Sequence, residues 1–143
     1  MIRQAVAADS QKLQPLLNTL GYPASLVSIK ERMERIVQHS DYMTFVFEER
    51  EELLGMVGMS FSLAYHKDEP HVRIIAFVVL ENAQGKGIGR KLMKQAEAWA
   101  RQKGAGTLML NSGNRKEREE THNIYRHMGF AGTATGFYKN ISL

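Results

Sequence analysis

Three glycines alternate with other residues in the segment 84–90, Gln-Gly-Lys-Gly-Ile-Gly-Arg, and this spacing suits the binding of a phosphate group. Glycine has no side chain, so such a segment lets a ligand approach the backbone N–H groups closely. The apolar residues that follow recur at helical spacing, and a helix start adds free N–H donors and the positive end of the helix dipole. Lys86, Arg90, Lys91 and Lys94 add positive charge. We expect a phosphate-containing ligand here, with a solvated basic helix face as the alternative.

The residues before the glycines form an unbroken apolar run, 74–80, which is rich in β-branched side chains. A run this short predicts a strand that is buried on both faces. Glu81 and Asn82 are poor strand formers and end it. Strand, glycine-rich loop and helix therefore follow one another as a phosphate site requires.

Two common phosphate-binding motifs do not fit this loop. A Walker-type loop needs a glycine at the position of Leu80 and a serine or threonine at that of Gly87. The dinucleotide motif Gly-x-Gly-x-x-Gly needs a glycine where the chain has Arg90. The pattern that remains is Gln84-x-x-Gly87-x-Gly89.

The rest of the chain predicts the elements that position this loop. Apolar residues at helical spacing predict a helix after Asp9 or Ser10, ended by Gly21, and a second from Ser25 or Ser28 to about residue 38. Alternation and β-rich composition predict a hairpin of residues 42–48 and 53–63, and residues 64–70 form a loop. A helix to about residue 103, a strand over 107–110, a helix that bears Tyr125 and a candidate last strand over 137–141 complete an α/β fold with a mixed sheet.

Composition excludes several classes of function. The chain of 143 residues has no cysteine, which excludes disulfides, thiolate metal sites and a cysteine nucleophile. Its net charge of +4 suits a polyanionic small ligand, and the aromatic residues lie mostly in apolar strands rather than among basic residues, which disfavours a nucleic-acid surface. No apolar run approaches the roughly 20 residues of a membrane span. Charged residues interrupt any signal-peptide core, so we expect a cytoplasmic protein that binds neither nucleic acid nor membrane.

The pattern Gln84-x-x-Gly87-x-Gly89, between a strand and a helix, resembles the pyrophosphate-binding motif of the GNAT family of N-acetyltransferases. The segment 125–130, Tyr-Arg-His-Met-Gly-Phe, resembles the Tyr-x-x-x-Gly-Phe motif of the same family, and it comes one strand and one helix later, as in that family. Residues 118–125 and 21–23 are similar to small bacterial members, some of them aminoglycoside-acetyltransferase-like. The order of elements matches over nearly the whole chain.

The resemblance implies the acyl-CoA N-acyltransferase (GNAT) fold: one domain over residues 1–143, with a mostly antiparallel sheet flanked by helices. It implies transfer of an acetyl group from acetyl-CoA to a small amine acceptor. The central strand would diverge from the strand 107–110, so that its free backbone pairs with pantetheine. The residues implied to bind acetyl-CoA are Phe77, Val78, Val79, Gln84, Gly85, Lys86, Gly87, Ile88, Gly89, Arg90 and His122.

The resemblance also assigns Tyr125 as the acid that protonates the departing CoA thiolate, with a core tyrosine as the alternative. Many members carry a glutamate on the central strand, at positions that correspond to Ile75 or Ala76 here, so this chain lacks an evident general base. An acceptor amine of low pKa, or a water relay to an acidic or histidine side chain of the segment 66–71, would replace it. Without cysteine there is no acetyl-cysteine intermediate, and direct attack by the amine in a ternary complex remains.

The acceptor itself is not identified by the sequence. In the family, the first two helices and the loop before the central strand shape the acceptor site, which here points to Tyr22, His66, Asp68 and His71. We expect no metal, because these histidines and those at 122 and 127 form no convincing ligand set. A homodimer is possible through the last strand. The alternative function is a non-catalytic acyl-CoA-binding sensor module.

Overall fold

The structure, a computed structural model, describes residues 1–111, 119–132 and 136–141. The predicted order of elements is confirmed from the first strand to the last helix, with small shifts at the ends. The elements are β1 (Ile2–Gln4), α1 (Ser10–Leu20), α2 (Leu26–Gln38), β2 (Tyr42–Glu49), β3 (Glu52–Ser62), β4 (His71–Val79), α3 (Ile88–Gln102), β5 (Thr107–Leu110) and α4 (Glu119–His127). Within the described parts of the chain, no helix is long and apolar enough to cross a membrane.

The five strands form one sheet in the order β1-β2-β3-β4-β5. The first three pairings are antiparallel, whereas β4 and β5 are parallel. A parallel pair needs a crossover connection, and α3 supplies it. The mixed, mostly antiparallel sheet flanked by helices is therefore confirmed.

Each face of the sheet carries its own apolar core. On one face, Leu92, Ala96 and Trp99 of α3 are buried against the strands. On the other face, Leu13 and Leu16 of α1 are buried with the stripe of α2. The helices form where the apolar residues repeat at helical spacing. Asp9 occupies the N-cap position of α1, but its side chain makes no capping hydrogen bond, whereas the start of α2 and the end of α1 are capped as expected. The Ser25 side chain accepts a hydrogen bond from the Ser28 N–H at 3.1 Å, and Gly21 ends α1 at a φ of 102°.

The central strand β4 contributes to the cores on both faces of the sheet, as predicted, with one exception. It begins at His71 rather than at residue 74, and the Ile75 side chain is 52% exposed. The reason is a β-bulge: Gly58 of β3 pairs with Ala76 and Met59 pairs with Ile74, so Ile75 has no partner in this ladder. The apolar run is therefore a strand with one extra, exposed residue.

The bulge shifts the alternation of β4 by one residue. Before it, Val72 and Ile74 lie in the core under α3. After it, Phe77 and Val79 pack against that same core, whereas Val78 is buried in the core under α1 and α2. Phe77 follows Ile74 by three positions rather than two, and this spacing explains why the run has no two-residue period.

The candidate last strand is wrong for the residues that the structure describes. Residues 136–141 form no strand, and the side chains of Phe137, Tyr138 and Ile141 are 93%, 80% and 79% exposed. Phe137, Tyr138 and Ile141 favour a strand locally, but the structure buries none of them, and burial against neighbouring strands is what such a preference depends on. The structure consequently gives no support to a dimer formed by a strand in this segment.

An ion network fixes the beginning of the chain to the sheet. The Arg3 guanidinium donates to both carboxylate oxygens of Asp9, at 2.9 and 2.8 Å, and to the Glu48 carboxylate at 3.2 Å. Asp9 is buried and also accepts a hydrogen bond from the Val6 N–H at 2.8 Å. The Arg3 hydrogen bonds, supported by that of Val6, hold the pKa of Asp9 below its usual value. The network therefore joins β1, the start of α1 and β2.

Candidate active site

The glycine loop has the backbone that its sequence predicts. Gly85 and Gly87 both have a φ of +80°, in the left-handed region that residues with a Cβ rarely adopt. Gly87 is the N-cap of α3, so the loop leads directly into the first free N–H groups of that helix. The Gln84 side chain donates to the Val79 carbonyl at 3.3 Å and so fastens the loop to the end of β4.

Two other glycines let the start of α3 lie close to the sheet. A Cβ on Gly89 would lie 3.3 Å from Cζ of Phe77 and 3.7 Å from Cγ2 of Val79. A Cβ on Gly55 of β3 would lie 2.9 Å from Cδ1 of Leu92. The positive end of the α3 dipole is consequently held directly over the end of β4.

The parallel pairing between β4 and β5 stops halfway along β4. The ladder runs from His71 with Thr107 to Ile74 with Leu110. Residues 75–79 of β4 continue toward the glycine loop, and in the described part of the chain no β5 residue pairs with them. This half of β4, which we call the free edge (residues 75–79), presents backbone donors and acceptors on its β5 side. The divergence of the two strands expected at residues 77–79 stays a prediction, because the described part of β5 ends at Leu110, opposite Ile74.

Tyr125 lies beside this free edge. Its ring centroid is 6.3 Å from that of Phe77, and the Phe130 ring is in edge-to-face contact with it at 6.1 Å. The end of α4 explains the Tyr-x-x-x-Gly-Phe motif. Gly129 has a φ of +94°, its N–H donates to the Arg126 carbonyl, and the Phe130 N–H donates to the Tyr125 carbonyl. This is a Schellman motif, which folds Phe130 back onto Tyr125.

His122 precedes Tyr125 by three residues on α4, so the two side chains share a face of that helix. Both are half-buried. The predicted pyrophosphate and pantetheine residues and these two side chains thus lie at one end of the sheet, around the free edge. What each of them contacts during the reaction stays a prediction.

The residues predicted to bind the acceptor lie at two different places. Tyr22 belongs to the connection between α1 and α2, where the flanking Leu20 and Ala24 pack against the core that contains Val78 and borders Ala76. The connection therefore lies on the face of the sheet that α1 and α2 cover, and the Tyr22 side chain is 69% exposed.

His66 and Asp68, by contrast, lie in the loop that precedes β4, and His71 is the first residue of β4. The Gly106 N–H donates to the Pro70 carbonyl at 2.9 Å, and the Lys67 ammonium donates to the Thr107 hydroxyl, so this loop is fastened to the beginning of β5. At about 3.3 Å per strand residue, His71 is about 13 Å from Ile75. The role of Tyr22, His66, Asp68 and His71 in acceptor binding stays a prediction.

One feature beside the glycine loop escaped the sequence analysis. The turn between β2 and β3 places Glu49, Arg50 and Glu52 next to Lys86 around a cleft of about 330 Å³. Arg50 and Glu51 have left-handed φ values of 52° and 66°. The charged turn is visible in the sequence, but its position beside Lys86 follows only from the antiparallel pairing of β3 with β4.

Comparison with known proteins agrees with this arrangement. The model of the Acetyltransferase (GNAT) family matches residues 11–130. The uncharacterized N-acetyltransferase YhdJ of Bacillus subtilis is 31% identical over 117 residues, which are 81% of this chain and 80% of that protein. A crystal structure of a GNAT family acetyltransferase from Staphylococcus aureus superposes with a TM-score of 0.83 at 27% identity, covering 99% of this chain and 98% of that one.

The fold also matches a structure of the aminoglycoside N-acetyltransferase AAC(6')-Iy in complex with CoA. The TM-score is 0.87 at 17% identity, and the match covers 100% of this chain and 95% of that one. At this identity the likeness shows the fold alone, and it confirms the acyl-CoA N-acyltransferase fold expected from the sequence. The glycine loop, the free edge and the family match lead to one conclusion: the chain belongs to the GNAT family and is an acetyltransferase.

Proposed function

We propose that this acetyltransferase moves an acetyl group from acetyl-CoA to the primary amine of a small molecule or peptide, by direct attack in a ternary complex. The observation that carries the proposal is the free edge of β4, which leads directly into a glycine loop at the start of a helix. A ligand with an amide-containing arm and a pyrophosphate matches both features, and CoA is such a ligand. The cytoplasmic location expected from the sequence belongs to this proposal.

The loop fits a pyrophosphate in its backbone geometry. The left-handed φ of Gly85 and Gly87 turns successive N–H groups outward, and the absence of side chains leaves the approach open. A helix start stabilises an anion by about 0.3–1 kcal/mol per charge interaction, so several such contacts together are needed for binding. Lys86 and Arg90, both exposed, add attraction on the solvent side.

The free edge fits the pantetheine arm. Backbone N–H and C=O groups of residues 75–79 on the β5 side have no ladder partner among the described residues, and the amides of the arm would supply partners. A backbone N–H of this edge would also stabilise the negative charge that develops on the thioester oxygen.

Tyr125 would complete the reaction at the sulfur. The amine nitrogen forms the new bond to the acetyl carbon, the carbon–sulfur bond breaks, and the thiolate takes the proton of the Tyr125 hydroxyl. The nitrogen loses its proton to water, and the Tyr125 phenolate regains a proton from solvent. A thiol with a pKa near 8.5 is a good leaving group even without an acid. The rate enhancement from Tyr125 should therefore lie near the lower end of the range of about 10²–10⁴ that is typical of general acids.

No carboxylate of β4 is available as the general base. The strand carries Ile75 and Ala76 rather than a carboxylate at the bulge. At pH 7, deprotonating a lysine-like amine with a pKa near 10.4 costs roughly 4 kcal/mol. Deprotonating an α-amino group with a pKa near 7.7–8.0 costs about 1 kcal/mol. We therefore propose that the acceptor has a low amine pKa or is deprotonated through water, and kcat/KM should rise with pH through the pKa of the acceptor.

Thermal shift with acetyl-CoA and release of free thiol across a panel of amines test the proposal together. Stabilisation by acetyl-CoA, with thiol release that depends on an amine, supports it. Stabilisation without thiol release would favour the sensor module. No stabilisation by either acetyl-CoA or CoA would overturn the proposal.

A further inference from the structure

We infer that the acceptor carries a carboxylate group in addition to the reacting amine, and that Arg73 of β4 binds this carboxylate. The assignment rests on the function proposed above and names the substrate class of the same site. It concerns a part of the sheet that α1 and α2 leave uncovered, which we call the open face. Its six residues come from three adjacent strands: Ser60, Ser62, His71, Arg73, Thr107 and Met109.

The register of the strands places these side chains next to one another. Arg73 pairs with Ser60 of β3 on one side and with Met109 of β5 on the other. Two residues earlier, His71 pairs with Ser62 and with the first residue of β5. Neighbouring strands lie about 4.8 Å apart, so the six side chains form two adjacent rows across the sheet.

These rows lie on the face that α1 and α2 cover only in part. Val72 and Ile74 lie in the core under α3, so Arg73, between them, projects from the opposite face. The core on that opposite face contains Met56 and Val78, which pair with each other near the glycine-loop end of the sheet. None of the six residues belongs to this core, and Arg73 is exposed.

The open face borders the beginning of the free edge. On the α3 side, Phe77 and Val79 pack against the core under that helix, which closes this approach to the edge. On the other side, Ala76 is only partly buried. Arg73 precedes Ala76 by three residues, at most about 10 Å along the strand. One small molecule can therefore place its amine at the free edge and a second group at Arg73.

The charges of the open face favour an anionic second group. The Lys67 ammonium donates to the Thr107 hydroxyl and so adds a positive charge beside His71. The strands β4 and β5 contain no aspartate or glutamate, and Glu52, the acid of β3, lies at the opposite end of that strand. A guanidinium such as that of Arg73 binds a carboxylate through two parallel N–H···O hydrogen bonds.

Carboxylates of the adjoining segments leave this guanidinium unpaired. Among the residues that the structure describes, Arg73 forms no ion pair and no side-chain hydrogen bond. The arginine is consequently available to an anionic group of the acceptor. The acids on the segments around the open face are Glu31 and Glu34 of α2, Asp41 before β2, Asp68 and Glu69 before β4 and Glu81 after it.

Two pairs of amines that differ by one negative charge test the inference. γ-Aminobutyrate is compared with γ-aminobutyramide, and triglycine with its C-terminal amide. Loss of the carboxylate lowers the pKa of the amine, which by itself would favour the amides. We expect kcat/KM by thiol release to be about tenfold higher for the acid in at least one pair. The pair that shows the preference distinguishes an amino acid from a peptide as acceptor.

The opposite results separate this inference from the proposed function. Equal values or a preference for the amide in both pairs would overturn the inference and leave the proposed function standing. Turnover of uncharged or cationic amines, with neither acid accepted, would do the same. No thiol release with any amine would overturn both.

Variants then assign the effect to Arg73. Arg73→Gln should lower the ratio of kcat/KM for the acid over the amide about tenfold, through KM for the acid, and change kcat/KM for the amide less than about twofold. Arg73→Lys keeps the charge without the paired hydrogen bonds and should give an intermediate ratio.

Arg101→Gln is the matched control, because this arginine is exposed on α3, on the other face of the sheet, and its ratio should not change. Thermal shift with acetyl-CoA verifies that each variant is folded. A wild-type ratio in Arg73→Gln, or an equal change in Arg101→Gln, would contradict the role of Arg73.

Discussion

The rings of Phe77 and Tyr125 lie 6.3 Å apart, centroid to centroid, with their planes tilted by 44°. Phe77 belongs to the free edge of β4 and Tyr125 to α4, so this contact joins the candidate acid to the strand that would hold the thioester. The Schellman motif at Gly129 and Phe130 fixes the other side of the Tyr125 ring. The candidate acid is therefore positioned by two aromatic contacts, and its hydroxyl can be removed without removing them.

Tyr125→Phe should lower kcat by about 10²-fold while the affinity for acetyl-CoA changes little. The reason is that the ring contacts remain and only the proton donor is lost. Steady-state thiol release gives kcat, and calorimetric titration gives the affinity. Tyr42→Phe, at an exposed position of β2, is the control and should retain full activity. A Tyr125→Phe enzyme with wild-type kcat would assign the tyrosine a packing role.

Gly87→Val should abolish tight binding of acetyl-CoA, whereas Lys86→Ala should weaken it only about two- to fivefold. A β-branched residue at a φ of +80° costs about 1–2 kcal/mol or more and distorts the loop that presents the N–H groups. The lysine contributes a single exposed charge interaction. Binding is measured by titration with acetyl-CoA.

Gly104→Val is the control that distinguishes the effect of backbone strain on stability from the effect of a distorted glycine loop on binding. Gly104 has a φ of +82° and lies after the other end of α3, and a Cβ added there would meet no described atom beyond its chain neighbours within 4 Å. This variant should lose stability comparably to Gly87→Val but keep its affinity for acetyl-CoA. If both variants bound equally weakly, the glycine loop would lose its assigned role.

Gly55→Ala should destabilise the protein by about 1–3 kcal/mol, because its Cβ would lie 2.9 Å from Cδ1 of Leu92 and 3.3 Å from the Val78 carbonyl oxygen. Gly58→Ala, in the same strand, is the matched control. Its Cβ would lie 3.8 Å from that of Ala76, an ordinary contact. Urea unfolding measures both, and equal destabilisation would contradict the close approach of α3 to β3.

Asp9→Asn should lower the free energy of unfolding at pH 7 by about 1.5–3 kcal/mol, through loss of the charged hydrogen bonds to Arg3. The pKa of Asp9 is lowered in the folded state, so its stabilising effect is complete above the unfolded value near 3.9 and disappears as pH falls through the folded value. The difference between wild type and variant should therefore vanish in strong acid. Asp68→Asn, an exposed carboxylate, should show no such pH dependence.

Local signals predicted much of this arrangement. The Ser25 cap, the Gly21 end of α1 and the left-handed glycines of the loop follow from single residues and their immediate neighbours. The Ile75 bulge does not, because an unbroken apolar run hides which of its residues lacks a partner on β3.

The bulge gives β4 one position at which a residue can be removed without turning the rest of the strand over. Without Ile75, Phe77 would follow Ile74 by two positions, and the strand would have a regular two-residue period. Phe77 and Val79 would still face α3, and Val78 would still face α1 and α2. A one-residue deletion between Phe77 and Val79 has no such tolerance, because the residues after it would turn toward the opposite core.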